Sequence, residues 1–338
     1  MLRPLSYAHR YSYSRIWSRK PILLTHSLTS TCNCKCQICE VWRSGSGADE
    51  MKTDEVLRML EEARKLNFVT YLAWGGEPLM RDDITDILEH AHELGLYTSV
   101  ITNGTLLSER AKDISKVVDL TWVSLDHFSD YHDEMRGLEG AFDRAIDGII
   151  QLRNSGGRVV INCVLSKLNI NSVRGMCELA RSLGVKLAFD PMEIFPGLNE
   201  EYALRRSECR RLFAEVFKLK KAGFPILNSY DYLEHIISDR GYSCAQPRVF
   251  IKVSETGEVA PFWCKRDNRV LGNLRKQSLG SILHSRSFEK FVKITDGCKL
   301  CSNSSTVETS MFYSASRFFA NCLKMPNPIL RFIADFGL

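Results

Sequence analysis

Nowhere in these 338 residues do about 18 apolar residues run together, so no membrane-spanning helix is expected. The N-terminus also lacks a long apolar stretch ending in a small-residue cleavage site, which argues against a secretory leader. Excess charge of one sign is missing as well. Lys and Arg total 45 against 40 Asp and Glu, and a net charge of +5 is too mild at this length to argue for a nucleic-acid partner. Acid is absent before Glu40, while Arg3, Arg10, Arg15, Arg19 and Lys20 alternate with Tyr7, Tyr11, Tyr13 and Trp17. Such a stretch suits a membrane–water interface, an extension wrapped around a domain, or an organellar transit peptide of ~20 residues. Only about 31 residues precede Cys32, too few for an independently folded recognition domain.

Against these absences, cysteine is plentiful. Twelve occur in a chain that is otherwise 44% hydrophobic and 25% charged, an ordinary globular composition. With secretion unsupported, their clustering favours metal sites in a reducing compartment over disulfides. Cys32, Cys36 and Cys39 form a C-x3-C-x2-C triplet, with Cys34 between them as a bystander. Three soft thiolates this close suit one iron–sulfur cluster, and a cubane held by three cysteines keeps one iron open to a substrate or cofactor. A zinc knuckle is the alternative on spacing alone. Cys244 and Cys264 bracket a hairpin-like stretch (Val249–Val253, a turn at 255–258, then Val259–Trp263), and Cys298 and Cys301 form a C-x2-C about thirty residues later. Four ligands suffice for a second, fully coordinated cluster or a zinc ribbon. Cys163, Cys177 and Cys209 stand alone and read as small packed hydrophobes.

Between the two cysteine sets, strand and helix patterns alternate. Strands are expected at Ile22–Thr29, Val69–Trp74, Tyr97–Thr102, Leu120–Leu125, Val159–Leu165 and Val185–Asp190. Helices are expected at Thr53–Lys65 with a Thr cap, Asp82–Leu94, Ser108–Lys116, Ala141–Arg153 and Ser172–Leu183. Repeated βα units demand a parallel sheet with right-handed crossovers, either an open doubly wound sheet or a curved barrel. Gly75-Gly76-Glu77-Pro78 follows the second strand, Thr102-Asn103-Gly104-Thr105 the third, and Ser124-Leu125-Asp126 ends the fourth, ahead of Arg136-Gly137. Asn162 and Asn169 flank the end of the fifth.

The cysteine triplet, followed at this distance by Gly-Gly-Glu-Pro, resembles the signature of the radical S-adenosylmethionine (SAM) enzymes. The later cysteines resemble the twitch subdomain, a shortened SPASM extension. The resemblance implies an α/β fold: a partial (β/α)6 TIM-like barrel with a small C-terminal subdomain and a helical tail. It implies a [4Fe–4S] cluster on Cys32, Cys36 and Cys39 that binds and cleaves SAM, and an auxiliary [4Fe–4S] cluster on Cys244, Cys264, Cys298 and Cys301. Gly75, Gly76 and Glu77 would meet SAM's amino group, and Ser124 and Arg136 its carboxylate or ribose. The division expected is 1–21 for the basic extension, 22–198 for the core barrel, 199–240 for a helical connection, 241–310 for the auxiliary subdomain and 311–338 for the tail.

In that tail Met311, Ala315, Phe318, Cys322 and Met325 share one helical face, opposite Ser314, Arg317, Asn321 and Lys324, and Pro326 breaks the helix. It either docks on the core or lies on a bilayer surface. Hydrogen abstraction from an unactivated C–H bond is the expected activity, on a membrane lipid with carbon–carbon bond formation. Peptide modification and oxidation of a small alcohol are the alternatives, and a non-catalytic electron-transfer module is the rival of a different class. Expected partners are SAM, a ferredoxin or flavodoxin, and a lipid or peptide, in the cytoplasm or at a membrane surface, without nucleic acid.

Overall fold

The structure, a computed structural model, describes residues 10, 20–44, 49–262 and 264–313. The rest of the basic N-terminal extension, Trp263, and the tail from residue 314 onward lie outside the described residues.

Six parallel strands appear in sequence order: β1 (Leu23–Thr29), β2 (Thr70–Gly75), β3 (Tyr97–Thr102), β4 (Leu120–Ser124), β5 (Val159–Leu165) and β6 (Lys186–Pro191). Helices α1 (Thr53–Lys65), α2 (Ile84–Glu93) and α3 (Leu107–Val117) cross between the first four. The link from β4 to β5 carries two helices, α4 (Tyr131–Arg136) and α5 (Ala141–Asn154), and α6 (Val173–Ser182) leads into β6. These outer helices bury one stripe each. In α1 it is Val56, Met59, Leu60 and Ala63, spaced for one face of a helix. The strands are covered on both sides, as a parallel sheet requires. In β3, Thr98 and Val100 face the helices, while Tyr97, Ser99 and Ile101 face the barrel interior.

One expectation is corrected here. Thr53 is the first helical residue rather than the cap; the preceding Lys52 N–H donates to Glu55, and the Thr53 hydroxyl donates to Asp83 at 2.7 Å. The hairpin expected between Cys244 and Cys264 is present and joins the main sheet. Its first strand, β7 (Phe250–Val253), pairs in parallel with β1, and β8 (Glu258–Ala260) and β9 (Gly272–Asn273) follow antiparallel. The sheet among the described residues therefore runs β6-β5-β4-β3-β2-β1-β7-β8-β9.

Two further helices, α7 (Arg206–Lys221) and α8 (Tyr230–Ser238), precede that hairpin, and α9 (Arg286–Thr295) follows it. The last described helix, α10 (Ser304–Tyr313), spans the gap between β6 and β7. At its start the Ser304 N–H and hydroxyl donate to Asp190 at the end of β6, and near its end Ser310 accepts from Ala245 N–H, just before β7. Met311, read from sequence as the start of the tail, is buried in this docked helix.

Candidate cofactor and substrate site

The cysteine triplet lies in the loop after β1, at the carboxyl ends of the parallel strands, where such folds place their ligand sites. Its entry is clamped by the turn after β2: Gly76 N–H donates to Thr29 carbonyl at 2.7 Å, and Glu77 N–H to Thr31 at 2.9 Å. Both glycines are required by this approach. A Cβ on Gly76 would stand 2.1 Å from the Thr31 carbonyl, and one on Gly75, at φ +137°, 2.4 Å from the Thr29 carbonyl. The loop's far side rests on α4. Lys35 and Gln37 N–H groups donate to Arg136 and Met135 carbonyls, and a Cβ on Gly137 would meet Lys35.

Two contacts that sequence reading did not assign complete the clamp. Asn33 donates to Thr105 at 2.8 Å and accepts from Asn103 at 2.7 Å, tying the turn after β3 to the cysteine loop. Asp126, fully buried, pairs with Arg136 at 2.7 Å. The adjacent Arg136 nitrogen donates to Cys36 Sγ at 3.8 Å. The Arg136–Asp126 pair thus lies inside the protein. Asn169 also serves this turn, donating to the Asp126 and Val164 carbonyls, whereas Asn162 lines the barrel interior.

Cys36 is biased towards thiolate, at about 6, by hydrogen bonding from Cys34 and by the Arg136 charge, against burial. Cys34 is buried beside Cys32 and Cys36 and is itself held in the thiol form by those contacts. Glu77 is wholly buried. It accepts from Leu79 N–H, the Thr102 hydroxyl and Asn103 N–H at 2.7–3.0 Å, and burial lifts its carboxyl to about 7 against those bonds. Three acceptances leave one of a carboxylate's four lone-pair sites for a ligand. Ser124 ends β4 opposite Asn162.

The second cysteine set also comes together. Cys244 N–H donates to Cys298 carbonyl at 3.0 Å, and Cys301 N–H to the Tyr242 hydroxyl at 3.1 Å. Burial, with the neighbouring thiols, pushes the Cys244 thiol up to about 12 and raises the Cys264 and Cys301 thiols, against backbone hydrogen bonds that pull them down. Thiols crowded in this way favour a cationic centre that draws off their protons. Three soft thiols at the first position and four at the second are the donor chemistry that iron–sulfur clusters take.

Comparison with known proteins agrees. The family model described as the radical SAM superfamily matches residues 26–180, and one described as an iron–sulfur cluster-binding domain (SPASM) matches 244–303. An AdoMet-dependent heme synthase of Methanosarcina barkeri is 28% identical over 82% of this chain and 85% of its own length. A PqqA peptide cyclase of Granulibacter bethesdensis is 30% identical over 48% of this chain, which spans only 45% of that protein. Among solved structures, Streptococcus suis SuiB bound to S-adenosylmethionine superposes with a TM-score of 0.68 over 81% of this chain and 68% of SuiB. At 17% identity that likeness speaks for the fold alone.

Proposed function

We propose, from the premise that this chain is a radical SAM enzyme with a SPASM-type iron–sulfur domain behind its barrel, that it modifies a peptide. The observation behind this reading is three large exposed apolar side chains, in the segments after β2 (Met80), β4 (Phe128) and β6 (Ile194), at the strand ends that bear the cysteine loop, where they would suit an extended chain. The likeness to the PqqA peptide cyclase supports it.

When bound, the cluster and SAM supply one-electron cleavage of SAM and a radical that removes a substrate hydrogen. The chain's own residues do the rest. Cys32, Cys36 and Cys39 would hold the cluster. Arg136, fixed by Asp126, keeps a positive charge beside Cys36. Glu77 offers its remaining lone pair to SAM's ammonium group, and Ser124 faces the ligand from the end of β4. Gly75 and Gly76 act by letting the β1 exit press onto the β2 turn, which fixes the cysteine loop before any ligand arrives. Cys244, Cys264, Cys298 and Cys301 would hold the auxiliary cluster, and four protein ligands would leave it suited to electron transfer rather than substrate ligation. A ferredoxin or flavodoxin would supply the electron.

A tetrapyrrole is the second reading, favoured by the longer alignment with the heme synthase. The lipid reading rested on the N-terminal extension and the tail, most of which lies outside the described residues, and Met311 at the tail's start is buried in α10. No described helix is long and apolar enough to cross a membrane. The test is anaerobic incubation of the reduced holoenzyme and SAM with randomised short peptides, iron-coproporphyrin III or phospholipid vesicles in parallel. Deoxyadenosine release coupled to a peptide product that has lost hydrogen supports the proposal. Turnover confined to the porphyrin or the lipid would sink it.

A further inference from the structure

Below the barrel mouth, the interior of the sheet is not filled. A cavity of about 150 Å³ lies between the inward faces of the strands and helix α10. On the strand side the wall is mainly apolar, with Leu23, Leu72, Ile101, Trp122 and Phe250, interrupted by Thr25, Thr70, Ser99, Asn162 and Asp190. On the α10 side it is polar, with Ser305, Glu308 and Thr309 on one face of the helix. Glu308 and Thr309 are paired within the protein, Glu308 by Asn228 and Ser229 and the Thr309 hydroxyl by the Ser305 carbonyl, so this polar face is tolerated beside the cavity. Thr70 differs. It lines the same cavity, is 6% exposed, and its hydroxyl has no hydrogen-bond partner among the described residues.

We propose that this cavity receives one ring-sized substrate group with an apolar body and a neutral hydrogen-bonding tip, a phenol, and that Glu308 and Thr70 read the tip. The inference rests on the peptide reading, for which it names the kind of side chain admitted. Size selects the body: an apolar cavity of this volume holds a benzene ring. A whole tetrapyrrole does not fit within it. The strand wall matches the ring, and phenols combine an apolar body with a polar end. Glu308 is positioned by Ser229 and Asn228, which donate to it at 3.2–3.3 Å. Burial, with a further push from Asp190, lifts its carboxyl to about 8 against those bonds, so at neutral pH it is protonated and can donate. Asp190 is occupied by the Ser304 N–H and hydroxyl.

Equilibrium dialysis of the full-length holoenzyme against p-cresol, toluene and n-butylammonium tests the assignment. p-Cresol should bind saturably and about tenfold more tightly than toluene, the worth of one hydrogen bond. Glu308→Leu should bring the two close to parity, and Leu72→Trp should abolish p-cresol binding by filling the space. Should Leu72→Trp fail to fold, Thr70→Val, which removes only the hydroxyl, should still narrow the preference. Equal affinity for p-cresol and toluene, tighter binding of n-butylammonium, or undiminished p-cresol binding in the Leu72→Trp protein would overturn it. Peptide turnover by the unmodified holoenzyme is read separately. Phenol binding without any peptide product defeats the peptide reading and leaves the cavity assignment standing, and the reverse outcome does the opposite.

Discussion

At the scale of single residues, the site is a set of short-range commitments around the cysteine loop. Asp126 and Arg136 show how strongly they are held. Both side chains are removed from water, at 3% and 13% exposure, and each neutralises the other. Removing one charge leaves the other buried alone, which costs about 3–5 kcal/mol. Arg136→Met should therefore lower the melting temperature sharply, while Asp126→Asn combined with Arg136→Met should recover much of the loss; thermal unfolding of the three proteins checks this. Gly76 is committed sterically. With only 2.1 Å between a new Cβ and the Thr31 carbonyl, Gly76→Ala must displace the loop's entry. Iron incorporated at the first site should fall by more than half, as read by iron and sulfide analysis, whereas Gly280→Ala, where a Cβ would meet nothing nearer than 3.5 Å, should leave it intact.

At the scale of elements, α10 is the piece that carries an electrostatic cost. Glu308 titrates near 8 in the folded protein and near 4.3 when unfolded, so the folded state holds its proton more tightly. That contribution to stability is fully present below about pH 4 and is lost as pH rises towards 8. Glu77, lifted to about 7 by burial, acts in the same direction over the lower part of that window. Glu308→Gln removes the first dependence. The stability of the parent relative to this variant should thus decline from pH 5 to pH 8, measured by denaturant unfolding at each pH. A difference that stays level or grows with pH would contradict the protonated state of Glu308.

At the scale of the whole molecule, the two cysteine sets sit in different parts of one sheet system, joined by the β1–β7 pairing and by α10. They should load independently. The parent chain should carry about eight irons, and a Cys32→Ala/Cys36→Ala/Cys39→Ala protein about four, with no SAM cleavage. Mössbauer and metal analysis after anaerobic reconstitution check this; zinc in place of the remaining iron would refute the auxiliary cluster.

Much of this was legible in the chain itself. Tyr97–Thr102 and Val159–Leu165 were bounded correctly because a buried parallel strand is a short β-branched run between turn residues, and that signal is local. The cysteine triplet and the Gly-Gly-Glu turn were legible for the same reason: their chemistry and spacing are contained in a few consecutive residues. The short helix α4 was missed, since six residues carry too little periodicity to read. What tertiary structure alone decided were the non-local pairings. Parallel pairing of β7 with β1 joins segments more than two hundred residues apart. The seat of Arg136 depends on a carboxylate ten residues away and a thiol a hundred residues away. The polar face of α10 has meaning only once the barrel closes around it. Local patterning fixes which backbone conformation each segment prefers, but partners distant in sequence are chosen by burial and hydrogen bonding that exist only after the chain has folded.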